Sequence, residues 1–331
     1  MDNLAVMTVF WTGFFICVSV ILTIIGQVIV KRFDISLNRK TQKKKEMDIY
    51  YPLLVCLYDM DKRITSIFNN MHEDWLSADI IEKIQAKKGF AENPTDNSGY
   101  FFISLMFRFG RFFGILKVIE TIKGNELKSS KKKKWWKHKK NNDKSDIIDN
   151  YIHIDKYIDR VTSLFQNKFF FDECYKKVSW YERGNTKDGA EIHTLVQDTI
   201  GEMMVTDTGN NYRLKTFKEF CDAYTDQKDN TFKIWFSYIE QYLLDLKLEK
   251  NEKTIEAKCQ QINDVRPLRL KAIQYWCRKL IISIKQNYPD FEIQFKDNPD
   301  VDDSFFADGK TSLYISPELA NTIKNYVPPH K

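Results

Sequence analysis

The densest chemistry in this chain is a run of nine lysines within residues 128–144, interrupted by two adjacent indoles, Trp135 and Trp136. Ammonium groups attract phosphate, and indole rings favour the headgroup layer of a bilayer. Lys131, Lys132, Lys133, Lys134, Trp135, Trp136, Lys137, Lys139 and Lys140 are therefore read as lipid- or phosphate-binding residues. The same residue types grip nucleic acid through phosphate contacts and base stacking, which is the weaker expectation. A solvated loop that merely keeps the chain soluble has the same composition. Arg108 and Arg111 are a secondary candidate for headgroup phosphate, weighed against internal ion pairing.

Other chemistry is sparse. No GxxxxGKS/T, GxGxxG, HExxH or GxSxG motif and no EF-hand loop is present. The five histidines, at 72, 138, 153, 193 and 330, lie too far apart to suggest a metal site. Glu191 with His193, and His72 with Glu73 and Asp74, are the nearest approaches to acid–base pairs, and exposed helix residues look the same. Asp300, Asp302 and Asp303 supply oxygen ligands for a divalent cation, but a solvated acidic loop reads identically. No catalytic residue and no metal ligand is assigned, and no cofactor is expected. Six scattered cysteines form no close pair, which suits a reducing compartment rather than a disulfide framework.

The elements that position the basic run begin at the N-terminus. Leu4 to Val30 is 27 residues without a charge. As a helix it is ~40 Å long, against a hydrocarbon core of about 30 Å. A signal peptide would have a shorter apolar stretch preceded by Lys or Arg, and only Met1, Asp2 and Asn3 precede this one. Seven Lys and Arg fall in residues 31–45 and none before the apolar run. The positive-inside rule then puts the N-terminus outside and the C-terminal part in the cytosol. Residues 31–45 carry +6 and residues 128–144 carry +8 against a whole-chain charge of +6, so the remaining 299 residues are net −8. Two local basic contacts, not a generally cationic surface, follow from that distribution.

With only 12 Gly and 8 Pro in 331 residues, the rest reads as mainly α. Tyr50, Leu53, Leu57, Met60, Ile64, Ile67 and Met71 recur at spacings of 3 and 4, a seam for a bundle core or a homodimer. Tyr100 to Ile119 is apolar but carries Arg108, Arg111 and Lys117, and so reads as a buried or membrane-surface helix rather than a second span. Gly110 and Gly114 have the spacing that permits close helix contact. Helical stripes follow at Ile147 to Phe165, Ile192 to Met203, Leu214 to Tyr224, Phe232 to Leu246 and Leu270 to Ile284. Phe291 to Phe295 and Ser312 to Ser316 read as short strands of a small C-terminal hairpin. The expected organisation is an anchor over 1–30, a basic linker over 31–46, a helical segment over 47–124, a Lys/Trp-rich loop over 125–146, a helical domain over 147–288 and a tail over 289–331.

Five stretches, YYPLLVCLYDMDKRITSIF, GYFFISLMFRFGRFFGILKVIE, VQDTIGEMM, FKIWFSYIEQYLLDL and RLKAIQYWCRKLIISI, resemble in order the blocks of a widespread family of bacterial single-pass membrane proteins. The resemblance covers roughly residues 1–285 and departs at the Lys-Trp run and the tail. It implies an inner-membrane protein with a helical cytosolic domain, and it implies no reaction. The expectation is a membrane-anchored scaffold, sensor or interaction protein whose partners are anionic lipid and either a second copy or the product of a neighbouring gene. The alternative is a membrane-associated enzyme or effector, for instance in bacterial defence, with a site assembled from residues distant in sequence.

Overall fold

The computed structural model of the chain describes residues 47–69, 97–133, 145–166, 192–207, 212–246 apart from 227, 264, 266–288, 304–307 and 315–328, with a few isolated positions besides. Two compact units divide the chain, Met1–Tyr50 and Tyr51–Lys331. In the first, residues 47–50 are helical. The second is mainly helical with a small two-stranded antiparallel sheet. Among the described residues no helix is long and apolar enough to cross a membrane. The segment Leu4 to Val30 lies almost wholly outside them.

Helix α1 covers residues 51–69. Leu53, Leu57, Met60, Ile64 and Ile67 are all buried, so its seam is part of a core. Met71 lies outside the described residues. Helix α2, Asn97–Lys133, buries Phe102, Ile103, Met106, Phe109 and Phe112, which makes the Tyr100 to Ile119 stretch an interior helix. It runs on to Lys133, and α3, Ser145–Leu164, begins at Ser145. Residues 125–133, expected as loop, are therefore helical backbone, because Lys, Leu and Glu are good helix formers.

Helix α4, Thr194–Met204, packs against α2 through glycines on both sides. A methyl group on Gly201 would sit 2.7 Å from the Phe113 carbonyl oxygen, and one on Gly110 would meet the Phe236 ring at 2.6 Å. One on Gly114 would meet Met204 at 2.8 Å. Only a hydrogen fits at that approach. The expected Gly110/Gly114 pair thus works with a third glycine contributed by the facing helix. Lys117 and Glu202 close the edge of the contact at 2.9 Å.

The strands lie elsewhere than the sequence suggests. Val205–Asp207 (β1) and Tyr212–Leu214 (β2) pair antiparallel, with Val205 opposite Leu214 and Asp207 opposite Tyr212. Leu214, expected on a helix, belongs to β2, and α5 starts only at Phe217 (Phe217–Tyr224). A capping box fixes that start: Glu219 N–H donates to Thr216 Oγ1, and Thr216 N–H donates to Glu219. Most of the expected C-terminal hairpin lies outside the described residues. Among the described residues Phe291 lies in a 3-10 turn, and Ser316 caps the helix that follows it. Residues 292–298 and 308–314 fall outside the description. Ser316 followed by Pro317 is a helix-start signal, a capping hydroxyl and a residue with preset φ, so Ser316 itself belongs to a helix start and not to a strand.

Helix α6, Thr231–Leu243, buries Phe232, Phe236, Ile239, Tyr242 and Leu243. At its end Asp245 adopts a positive φ of 54°, and its N–H donates to the Leu76 carbonyl. The Arg266 guanidinium donates to the Gln241 and Leu244 carbonyls at 3.0 and 2.6 Å, filling acceptors that a helix end leaves open. Asp264 holds that guanidinium at 2.6 Å.

Helix α7, Arg266–Asn287, is buried on nearly every side, polar residues included. It packs on α3, where Trp276 lies at a tilt against Tyr157 and under the Arg160 guanidinium, 4.3 Å from the ring centre. Short helices α8, Ser304–Ala307, and α9, Pro317–Lys324, complete the core. Phe305 lies beneath the Lys271 ammonium at 3.7 Å and the Arg278 guanidinium at 4.6 Å. Trp276 Nε1 donates to the Ile323 carbonyl, and the Tyr326 hydroxyl to Ser163 Oγ. The tail is thus built into the core.

Candidate functional site

Of the basic run, Lys131, Lys132 and Lys133 have helical backbone at the end of α2. Lys134, Trp135, Trp136, Lys137, Lys139 and Lys140 lie outside the described residues, as do Glu191, His72, Glu73, Asp74, Asp300 and Asp303. His193 is the exposed cap residue of α4. Among the described residues no three His, Cys, Asp or Glu side chains converge to hold a metal ion.

Arg108 and Arg111 are described, and they come with residues the sequence did not single out. Tyr100, Ser104, Arg108 and Arg111 recur at spacings of 4, 4 and 3, which puts them on one face of α2. Cys56, Asp59 and Arg63, at spacings of 3 and 4, share one face of α1. These faces meet. The buried Cys56 thiol lies 3.8 Å from the Arg108 carbonyl, and the Arg63 guanidinium sits 4.5 Å from the centre of the Phe101 ring.

Arg63, Arg108 and Arg111 are all half-buried. One N–H of Arg108 donates to the Ser104 carbonyl at 2.8 Å, which anchors the side chain along its own helix. Burial lowers the Arg63 pKa, and the neighbouring Arg108 charge lowers it further, while Tyr100 and Asp59 act in the opposite sense. Cation crowds cation here. Burial pushes the Cys56 thiol up to about 12 despite the pull of Arg111, so this cysteine is a packed, protonated group and not a nucleophile.

A second polar cluster joins distant parts of the chain. Arg278 Nε donates to Asp61 Oδ1 at 2.6 Å, and Gln274 Nε2 donates to the same oxygen at 2.9 Å and to Thr65 Oγ1 at 2.8 Å. Gln274 Oε1, buried in the same cluster, accepts no hydrogen bond among the described residues. A third group stands apart from both: Glu240, buried among aromatic residues, accepts the Tyr224 hydroxyl, and burial pushes its carboxyl up to about 7.

Only the helical period of each face was a usable sequence signal for the arginine site. Arg63 in isolation resembles any helix-surface cation, and its place opposite Arg108 depends on how α1 and α2 pair. No protein family's sequence profile matches the chain, and no curated protein or solved structure matches it either.

Proposed function

We propose that this chain is a single-pass membrane protein of the scaffold or sensor type, with Leu4 to Val30 as its anchor, the N-terminus outside and the helical body on the cytosolic face. The observation that carries the reading is 27 uncharged residues followed at once by seven basic residues in fifteen. The resemblance to bacterial single-pass membrane proteins supports an inner-membrane setting. The second basic run, with Trp135 and Trp136, rests against anionic lipid, where each lysine contributes about 1 kcal/mol. A tether within reach of the same surface raises the effective concentration of that contact. The body acts through what it binds, lipid and a protein partner or second copy, and nucleic acid is the lesser expectation.

Alkaline carbonate extraction of membranes tests the anchor, with the chain expected to stay in the pellet. Protease added to sealed inverted vesicles is expected to remove the body. Release of the chain by carbonate, or full protection of the body, would sink the reading.

An enzyme or effector is the second reading, favoured by the way Asp61, Gln274 and Arg278 converge from far apart in sequence. Turnover of nucleotide or lipid by the purified chain, abolished by Asp61→Asn in a protein that still folds, would establish it. No turnover in such a screen keeps the scaffold reading.

A further inference from the structure

We infer that Arg63, Arg108 and Arg111 form a binding site for a phosphomonoester, carried either by a lipid headgroup or by a soluble molecule. All three arginines are half-buried, and the facing sides of α1 and α2 meet beside them, with the Arg63 guanidinium over the Phe101 ring and the Arg108 guanidinium on the Ser104 carbonyl. The only hydrogen bond among them to a described residue spends one N–H of Arg108 on the Ser104 carbonyl. Among the described residues their remaining forks have no acceptor, and an arginine fork takes phosphate oxygens two at a time. Among the described residues Asp59 is the one carboxylate that acts on Arg63, beside Arg108, and Arg111 and Arg108 both act on Cys56 of the same α1 face, so three positive charges stand against one negative there. The excess of two matches a phosphomonoester dianion better than the single charge of a diester.

Like charges drawn together at partial burial destabilise the empty site, and an anion between them reverses the sign of that interaction. The Phe101 ring beneath Arg63 and the Ser104 carbonyl beneath Arg108 hold two of the three groups in place beforehand, which lowers the ordering cost of binding. Tyr100, about half exposed at the rim on the same face of α2, leaves the site open to solvent on one side. The lipid source rests on the membrane reading above, and the soluble source does not.

The test uses the full chain in neutral detergent micelles, glycerol phosphate as the soluble probe and chloride to hold ionic strength constant. A ligand held only by the folded state raises the thermal midpoint with saturation. Arg111→Gln is expected to weaken that response about tenfold or more. Arg111→Lys is expected to restore only part of it, since an ammonium cannot fork. Should Arg111→Gln fail to fold, Arg63→Gln is read in its place. The same midpoint is then read in phosphatidylcholine nanodiscs doped with phosphatidic acid or phosphatidylglycerol. A rise with phosphatidic acid beyond that with phosphatidylglycerol, removed by the substitution, assigns the site to lipid. A rise with glycerol phosphate alone assigns it to a soluble phosphoester. No response, or an equal response from parent and variant to every probe, overturns the inference. That failure would leave the membrane reading standing, because carbonate extraction does not involve these arginines.

Discussion

Arg278 and Asp61 stand 217 residues apart in sequence, and their side chains meet at 2.6 Å, both largely shielded from water. Breaking such a pair from one side leaves a shielded charge poorly compensated. Asp61→Ala is expected to lower stability by about 3 kcal/mol, because Arg278 loses its closest carboxylate contact and Gln274 loses an acceptor. Adding Arg278→Met should return part of that loss, and urea unfolding of the two variants and the double variant reads the coupling. Strict additivity would show that the two side chains do not act as a pair.

Gly201→Ala is expected to cost about 1 to 3 kcal/mol, since its new methyl would meet a carbonyl of α2 that belongs to a hydrogen-bonded helix and cannot step aside. Gly110→Ala meets the Phe236 ring instead. Trimming that ring with Phe236→Leu should relieve part of the Gly110→Ala penalty and none of the Gly201→Ala penalty. Thermal midpoints of the three single variants and the two doubles decide it.

Glu240 makes stability fall as pH rises. Its carboxyl titrates near 7 in the folded chain against an ordinary value of 4.5, so between those values the folded state binds more protons than the unfolded state. The contribution is complete below pH 4.5 and is lost as pH rises through 7, a difference of roughly 2 to 3 kcal/mol. Glu240→Gln, neutral at every pH, should match the parent at pH 5 and exceed it at pH 8. Parallel unfolding curves at the two pH values would refute the assignment.

Arg266→Lys keeps the charge but loses the fork that reaches Asp264 and two carbonyls at once. Faster amide hydrogen exchange is expected over the last turn of α6, with exchange near its start unchanged. Uniform acceleration along α6 would point to global loss of stability instead.

Helices with a continuous apolar stripe were legible from the sequence. Leu53 to Ile67, Phe232 to Leu246 and Leu270 to Ile284 are buried as their period requires. Leu195, within the Ile192 to Met203 stripe, is 78% exposed, because α4 turns its glycine side toward α2. The hairpin at 205–214 was missed because three-residue strands are too short to show a period of two. Nor could the sequence show that Arg266, Arg269, Lys271 and Gln274 are buried. Charged residues normally mark a solvent face, and on α7 they are covered by elements from both ends of the chain.

The order in which the chain is made gives the central position of α7 a further consequence. At cellular synthesis rates Asp61 leaves the ribosome on the order of ten to forty seconds before Arg278. Through that interval the Asp61 carboxylate on α1 has neither Arg278 nor Gln274 beside it. The body closes only when the last third of the chain arrives, so a truncated product would expose α1, and quality-control proteases would find it there.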